Sequence, residues 1–121
     1  MGRSAVLQDQ VSPLPSLRKP WFKNAIYCDN ENWSLTYSGS SWRVDRFDYR
    51  ENGRLITFSG EGAAGQMDLF LPPSLAWEDA PSQSIDEATQ NVILRRITGA
   101  LQWAGFKVGF FEITPKNHRP S

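Results

Sequence analysis

The sequence predicts an α+β fold: an antiparallel β-meander of about five strands packed with one C-terminal helix and a final strand. Three observations predict it. Apolar and polar residues alternate with period two through much of residues 25–71, the signature of half-buried strands. Asn52-Gly53 between two such runs is a strong short-range hairpin signal. A single stripe of helical period then follows between Ser84 and Gly105.

Each element has its own justification. Trp33, Leu35 and Tyr37 alternate with Ser34, Thr36 and Ser38 as one strand. Gly39-Ser40 reads as a two-residue turn, because glycine accepts the positive φ of a type II′ turn. That register sets Tyr37 opposite Trp42, Leu35 opposite Val44 and Trp33 opposite Arg46. The Asn52-Gly53 turn instead pairs Glu51 with Arg54, Tyr49 with Ile56 and Phe47 with Phe58. The two hairpins disagree in parity, which predicts a bulge or bend near Asp45-Arg46. Met67, Leu69 and Leu71 form a further strand, stopped by Pro72-Pro73. Leu75 and Trp77 are expected to pin the following loop to the core.

Ser84-Ile85-Asp86-Glu87 has the form of a capping box, with the helix starting at the Ser. Ile85, Ala88, Val92, Ile97, Leu101 and Ala104 mark its apolar stripe, widened by Ile93 and Ala100. Gly105 is placed to end the helix in the left-handed conformation. Phe106, Val108 and Phe110 alternate as the last strand, expected to end near Ile113. The organisation is then a loosely ordered N-terminal arm over residues 1–20, one α+β domain over 21–114, and a frayed tail over 115–121. Leu14 and Leu17 offer a way to dock the arm on the body.

Composition narrows the function classes. The 121 residues carry thirteen basic and thirteen acidic side chains, so the broad basic excess of a nucleic-acid binder is missing. Cys28 is the single cysteine, which excludes an internal disulfide and a thiolate zinc cluster. No apolar run approaches the roughly 20 residues needed to span a bilayer, and residues 1–6 lack a secretory or myristoylation signal. A cytoplasmic protein with no nucleic-acid partner, no membrane partner and no cofactor is expected.

Gly60-Glu61-Gly62-Ala63-Ala64-Gly65 matches G-x-G-x-x-G after a strand. A dinucleotide site needs a helix to begin there, because the pyrophosphate binds free N–H groups at a helix N-terminus. Here the loop runs into alternating Gln66-Met67-Asp68-Leu69 and two prolines, so a hairpin connection is the better reading. His118, the one histidine, has no second ligand or triad partner near it in sequence. Cys28 reads as a small hydrophobe beside a strand. The carboxylate pairs Asp45 with Asp48 and Glu61 with Asp68 have the residue types for glycoside hydrolysis, but solvated strand positions explain them more simply. Arg43, Arg46, Arg50 and Arg54 are interleaved with Trp42, Phe47 and Tyr49, and equally with Asp45, Asp48 and Glu51, so ion pairs are expected rather than a nucleic-acid face. No catalytic or metal-binding constellation emerges.

The one asymmetric stretch is residues 78–87, with Glu78, Asp79, Asp86 and Glu87 and no cation. Two of these suit the positive end of the helix dipole. With Trp77 they form the candidate surface for a basic protein partner.

The run Asn52-Gly53-Arg54-Leu55 into Phe58, then Gly60-Glu61-Gly62, carries a resemblance. So do Leu69-Phe70-Leu71-Pro72-Pro73-Ser74-Leu75, Trp77-Glu78, the Ser-capped helix ending in Leu101, and Gly105-Phe106-Lys107-Val108. Over roughly residues 30–110 the chain resembles a family of small immunity proteins from bacterial polymorphic toxin systems. The resemblance implies a protein that binds the product of a neighbouring toxin gene and performs no chemistry. It transfers no functional residues. The alternatives are a peptide- or small-ligand-binding module, with a pocket lined by Trp33, Tyr37 and Trp42, and an oligomeric subunit using an exposed sheet edge.

Overall fold

The computed structural model describes residues 16–40 and 43–113. Their strands are β1 (Leu17–Arg18), β2 (Ala25–Cys28), β3 (Trp33–Ser38), β4 (Val44–Glu51), β5 (Arg54–Ala63), β6 (Gln66–Leu71) and β7 (Lys107–Glu112). They form one sheet in sequence order. Every neighbouring pair is antiparallel except β6–β7, which is parallel. A parallel pair needs a crossover, and helix α1 (Glu87–Trp103) provides it. The predicted α+β architecture with its C-terminal helix and final strand is present, and β1 lengthens the antiparallel meander to six strands from the five expected. Most of the predicted arm, all of the predicted tail with His118, and Trp42 lie outside the described residues. Within the arm, Leu17 belongs to β1 and packs against the core.

One face of the sheet is buried under α1. Ile26, Leu35, Phe47, Tyr49, Ile56, Phe58 and Leu69 meet Ile93, Ile97, Ala100 and Leu101 there. Burial of each large side chain is worth roughly 1.5–3 kcal/mol. The opposite face carries Ser34, Thr36, Asp48, Thr57 and Asp68, all partly exposed.

The Asn52-Gly53 hairpin has the predicted register, with Glu51 opposite Arg54, Tyr49 opposite Ile56 and Phe47 opposite Phe58. Both turn residues have positive φ, 52° and 81°, as a type I′ turn requires. The glycine-rich segment is also a hairpin: Ala63 pairs with Gln66 around Ala64-Gly65, and no helix begins there. The predicted irregularity lies between Val44 and Arg46, where β5 uses the three steps from Ser59 to Gly62. In β4, Asp45 and Arg46 are both exposed, which lets even-numbered Val44 join odd-numbered Phe47 and Tyr49 against the core. Gly60 permits the close packing here, since a Cβ on it would strike the Asp68 carbonyl oxygen and lie 2.7 Å from the Phe47 ring.

Three expectations are corrected. A tight turn at Gly39-Ser40 does not form, and β3 and β4 are joined through residues 39–43. Tyr37 therefore faces Phe47, Leu35 faces Tyr49 and Trp33 faces Glu51. The tight turn would have set core Trp33 against outward Arg46, whereas the longer loop lets inward residues meet inward residues. The helix cap also shifts. Asp86, with extended φ/ψ, is the N-cap and accepts from the Thr89 N–H at 3.2 Å, while the Ser84 hydroxyl lies 3.2 Å from that of Ser74. Asp caps as well as Ser does, and Ile85 is held in the loop by the Leu75 carbonyl at 2.9 Å. Finally, Ala88 and Val92 are exposed, so the buried stripe centres on Ile93, Ile97, Ala100 and Leu101. The C-terminus follows expectation: Gly105 has φ 101°, and the Phe106 N–H reaches the Leu101 carbonyl at 2.9 Å.

Candidate functional site

The richest side-chain network lies at the end of the sheet where the β2–β3 and β4–β5 turns meet. The Asn52 N–H bonds the Asn32 carbonyl at 3.4 Å, and the two side chains also bond each other. Trp33, Tyr49 and Trp77 form an aromatic row here, with ring centres 5.9 Å and 6.4 Å apart. Two arginines cap the row: Arg96 lies 5.7 Å over Trp33, and Arg54 lies 4.8 Å over Trp77. Such stacking is stronger where water is partly excluded.

Arg96 reaches down from α1 into a pair of carboxylates. Its Nη1 donates to the Tyr49 hydroxyl at 2.8 Å, and that hydroxyl donates to Glu51 Oε1 at 2.9 Å. Ion pairs join it to Glu51 at 3.3 Å and Glu31 at 3.7 Å. Trp33 Nε1 donates to the same Glu31 oxygen at 2.9 Å. Burial pushes the Tyr49 hydroxyl well above its ordinary pKa, so it remains a proton donor. The sequence reading missed this cluster. The signal was available in the hairpin register, which turns Tyr49 inward: a buried Tyr hydroxyl needs a polar partner from whatever packs over it.

The residues singled out in the acidic stretch are divided by the fold. Trp77 and Asp79 join the network. Arg54 holds Asp79 with Nη2 at 2.8 Å and Nε at 3.1 Å, and this bond keeps the Asp79 carboxyl below the usual range. The Glu78 N–H bonds the Leu55 carbonyl at 2.8 Å, which lays the loop along β5 while the Glu78 side chain faces solvent. Asp86 is committed to the helix start, and the Thr89 hydroxyl followed by its N–H lowers its pKa. Glu87 is exposed in the first helical turn. A shallow depression beside the network is lined by Glu51, Thr89, Val92 and Arg96, which places the start of α1 at the same end.

The other candidates are placed as follows. Glu61 and Asp68 are direct cross-strand neighbours on the open face, but Arg43 holds Glu61 at 2.9 Å and Gln66 donates to Asp68 at 2.7 Å. Asp45 is exposed beside the bulge, while Asp48 accepts from the Thr57 hydroxyl at 2.9 Å and pairs with Arg46. Cys28 is buried, and its thiol pKa is raised by that burial. Trp33 and Tyr37 are turned into the core rather than lining an open pocket. Among the described residues, no His, Cys, Asp and Glu side chains are grouped to hold a metal ion, and no helix is long and apolar enough to cross a membrane. No protein-family model, curated protein or solved structure matches the chain.

Proposed function

We propose that the protein is a non-enzymatic binding protein, an immunity protein that holds a cognate bacterial toxin domain through its acidic end. The observation that carries this reading is charge segregation in a chain of zero net charge. Asp29, Glu31, Glu51, Glu78, Asp79, Asp86 and Glu87 gather at one end of the molecule, while Arg18, Arg54 and Arg96 are tied to four of them and Arg50 lies beside Glu51. A basic partner meeting this end would be steered by the exposed Glu78 and Glu87 and would find the half-buried Trp77 as an anchor. The resemblance of residues 30–110 to immunity proteins supplies the class of partner.

Co-expression with the toxin-like product of an adjoining gene tests the reading. The protein should rescue the poisoned cell and co-purify with that product at fixed stoichiometry. The double variant Glu78→Lys/Glu87→Lys should slow association about tenfold or more at low salt. Unchanged association kinetics would remove the acidic end from the interface, and failure to rescue or bind would remove the toxin.

One observation favours a second reading, self-assembly through the sheet edge. β7 has no outer strand among the described residues, and it exposes Phe110 and Phe111, with Ile113 exposed just beyond it. Unpaired apolar edges pair readily. Sedimentation across a hundredfold concentration range would separate an oligomer from a monomer.

A further inference from the structure

The opposite end of the sheet carries a surface of contrary chemistry. The β1–β2 turn presents Trp21 and Phe22 edge to face, with ring centres 5.7 Å apart. They are 90% and 66% exposed, the two most exposed large hydrophobic side chains among the described residues. The turn is not slack: the Lys23 N–H bonds the Pro20 carbonyl at 3.2 Å, and Lys19 Nζ donates to the Lys23 carbonyl at 3.0 Å. Lys23 Nζ lies 5.9 Å over the Phe22 ring. No Asp or Glu occurs from Ser16 to Cys28.

The helix exit lies at this same end. The Tyr37 N–H bonds the Asn24 carbonyl at 3.0 Å, and the Tyr37 ring meets Phe106 edge-on at 6.0 Å. Half-exposed Trp103 and exposed Lys107 flank Phe106 in sequence. Of the carboxylates toward this end, Glu61 is held by Arg43 and Asp68 accepts from Gln66, while Asp45 is exposed on β4, two strands away from β2.

We propose that this aromatic and cationic end docks the protein peripherally on an anionic phospholipid surface. Trp21 and Phe22 enter the headgroup region, and Lys19, Lys23 and Lys107 meet the lipid phosphates. Three arguments favour a bilayer over an acidic protein. Aromatic rings with adjacent lysines are the chemistry of the membrane interface, where ring bodies and charged tips are both satisfied. The β1–β2 turn itself carries Lys19 and Lys23 and no carboxylate although the whole chain is neutral, which matches an anionic leaflet. A side chain exposed to the extent of Trp21 stands clear of its own protein, so a soft planar surface accepts it without a shaped pocket. The proposal departs from the expectation of no membrane partner, which rested on the missing spanning run; surface docking needs none. It is independent of the toxin-binding reading.

The test is co-sedimentation of the full chain with extruded vesicles of phosphatidylglycerol and phosphatidylcholine, against vesicles of phosphatidylcholine alone. The protein should pellet with the anionic vesicles at low salt and be released as salt rises. Trp21→Ala/Phe22→Ala should weaken partitioning about tenfold or more, and Lys19→Glu/Lys23→Glu should abolish the preference for anionic lipid. The aromatic variant should keep the wild-type thermal midpoint, and the lysine variant, which gives up the Lys19 bond to the Lys23 carbonyl, should remain folded at the assay temperature, which separates lost docking from lost folding. No binding to anionic vesicles, or binding that both variants retain, overturns the proposal. So does a wild type that ignores vesicles while the aromatic variant loses a co-purifying acidic protein, which would make the turn a protein-docking site.

Discussion

At the acidic end of the sheet, Trp33 and Arg96 are enclosed by partners; at the other end, Trp21 and Phe22 on the β1–β2 turn stand in water. Trp33 is 4% exposed, with its N–H on Glu31 and its ring between Tyr49 and Arg96. Trp21 is 90% exposed and touches Phe22. One residue type thus serves two purposes, decided by what the topology packs around it. The first end is where α1 begins and crosses the hairpin turns, so its aromatics are committed to holding helix on sheet. The second end is where the β1–β2 turn projects past core Tyr37 and the Phe106 packed against that core, so Trp21 and Phe22 are left for something outside the chain. Stability measurements should divide the molecule along the same line.

The largest effect is expected at Trp33. Truncating it to Ala removes a buried ring and leaves Glu31 without its indole donor, at a cost of about 3–5 kcal/mol in denaturant unfolding. Trp21→Ala, by contrast, should change stability by less than about 0.5 kcal/mol. Equal losses at the two positions would erase the distinction between the ends. Arg96→Met comes next. The side chain is about a quarter exposed, so the cost should fall below that of a fully buried pair, at about 1–3 kcal/mol. Most of it comes from leaving Glu31 and Glu51 together without their shared cation. A double variant, Arg96→Met/Glu51→Gln, should recover part of the loss if that account is right.

These two residues also show what sequence could and could not supply. Trp33 was legible as an inward strand residue because period-two alternation is a local signal, and Asn52-Gly53 set the register of its neighbours. Its partners were not legible. The Gly39-Ser40 turn suggested a different register, and local turn propensity lost to the requirement that Leu35 meet Tyr49 on the core face. Arg96 was hidden for another reason: which side of a helix faces the sheet depends on tertiary packing, and the stripe drawn through Ala88 and Val92 was rotated from the buried one. Trp77 and Asp79 were found by charge pattern, yet their cation, Arg54, is 25 residues away in sequence from Asp79. The acidic stretch looked unpaired only because its partner is non-local.

The acidic end should also govern acid sensitivity. Arg54 depresses the folded pKa of Asp79, Arg18 that of Asp29, and the Thr89 hydroxyl and N–H that of Asp86. A carboxylate with a depressed folded pKa contributes stability above its unfolded pKa, about 3.9 for Asp. That contribution is lost as pH falls through the lower folded value. The thermal midpoint should therefore be flat near neutrality and decline below about pH 4. Asp79→Asn and Asp86→Asn should each lower the midpoint modestly at pH 7 and flatten the acid decline. A variant with the full wild-type acid dependence would show that its carboxylate carries no linkage.

A smaller gain than these losses is expected where the turns at the two ends are compared directly. Asn52-Gly53 and Ala64-Gly65 have the same backbone, with first residues at φ 52° in both and glycines at 81° and 83°. Asn tolerates the left-handed region because its short amide can bond locally, and here it also bonds Asn32. Ala has a Cβ and no such compensation, so the far turn holds strain that the near turn avoids. Ala64→Asn should stabilise the protein by about 0.5–1 kcal/mol, and Ala64→Gly by a similar or smaller amount after the greater entropy of the unfolded glycine. Asn52→Ala should lose at least as much, since it gives up a side-chain bond as well as the favourable conformation. If Ala64→Asn proves neutral, then the far turn relaxes freely in solution and holds no strain for Asn to relieve.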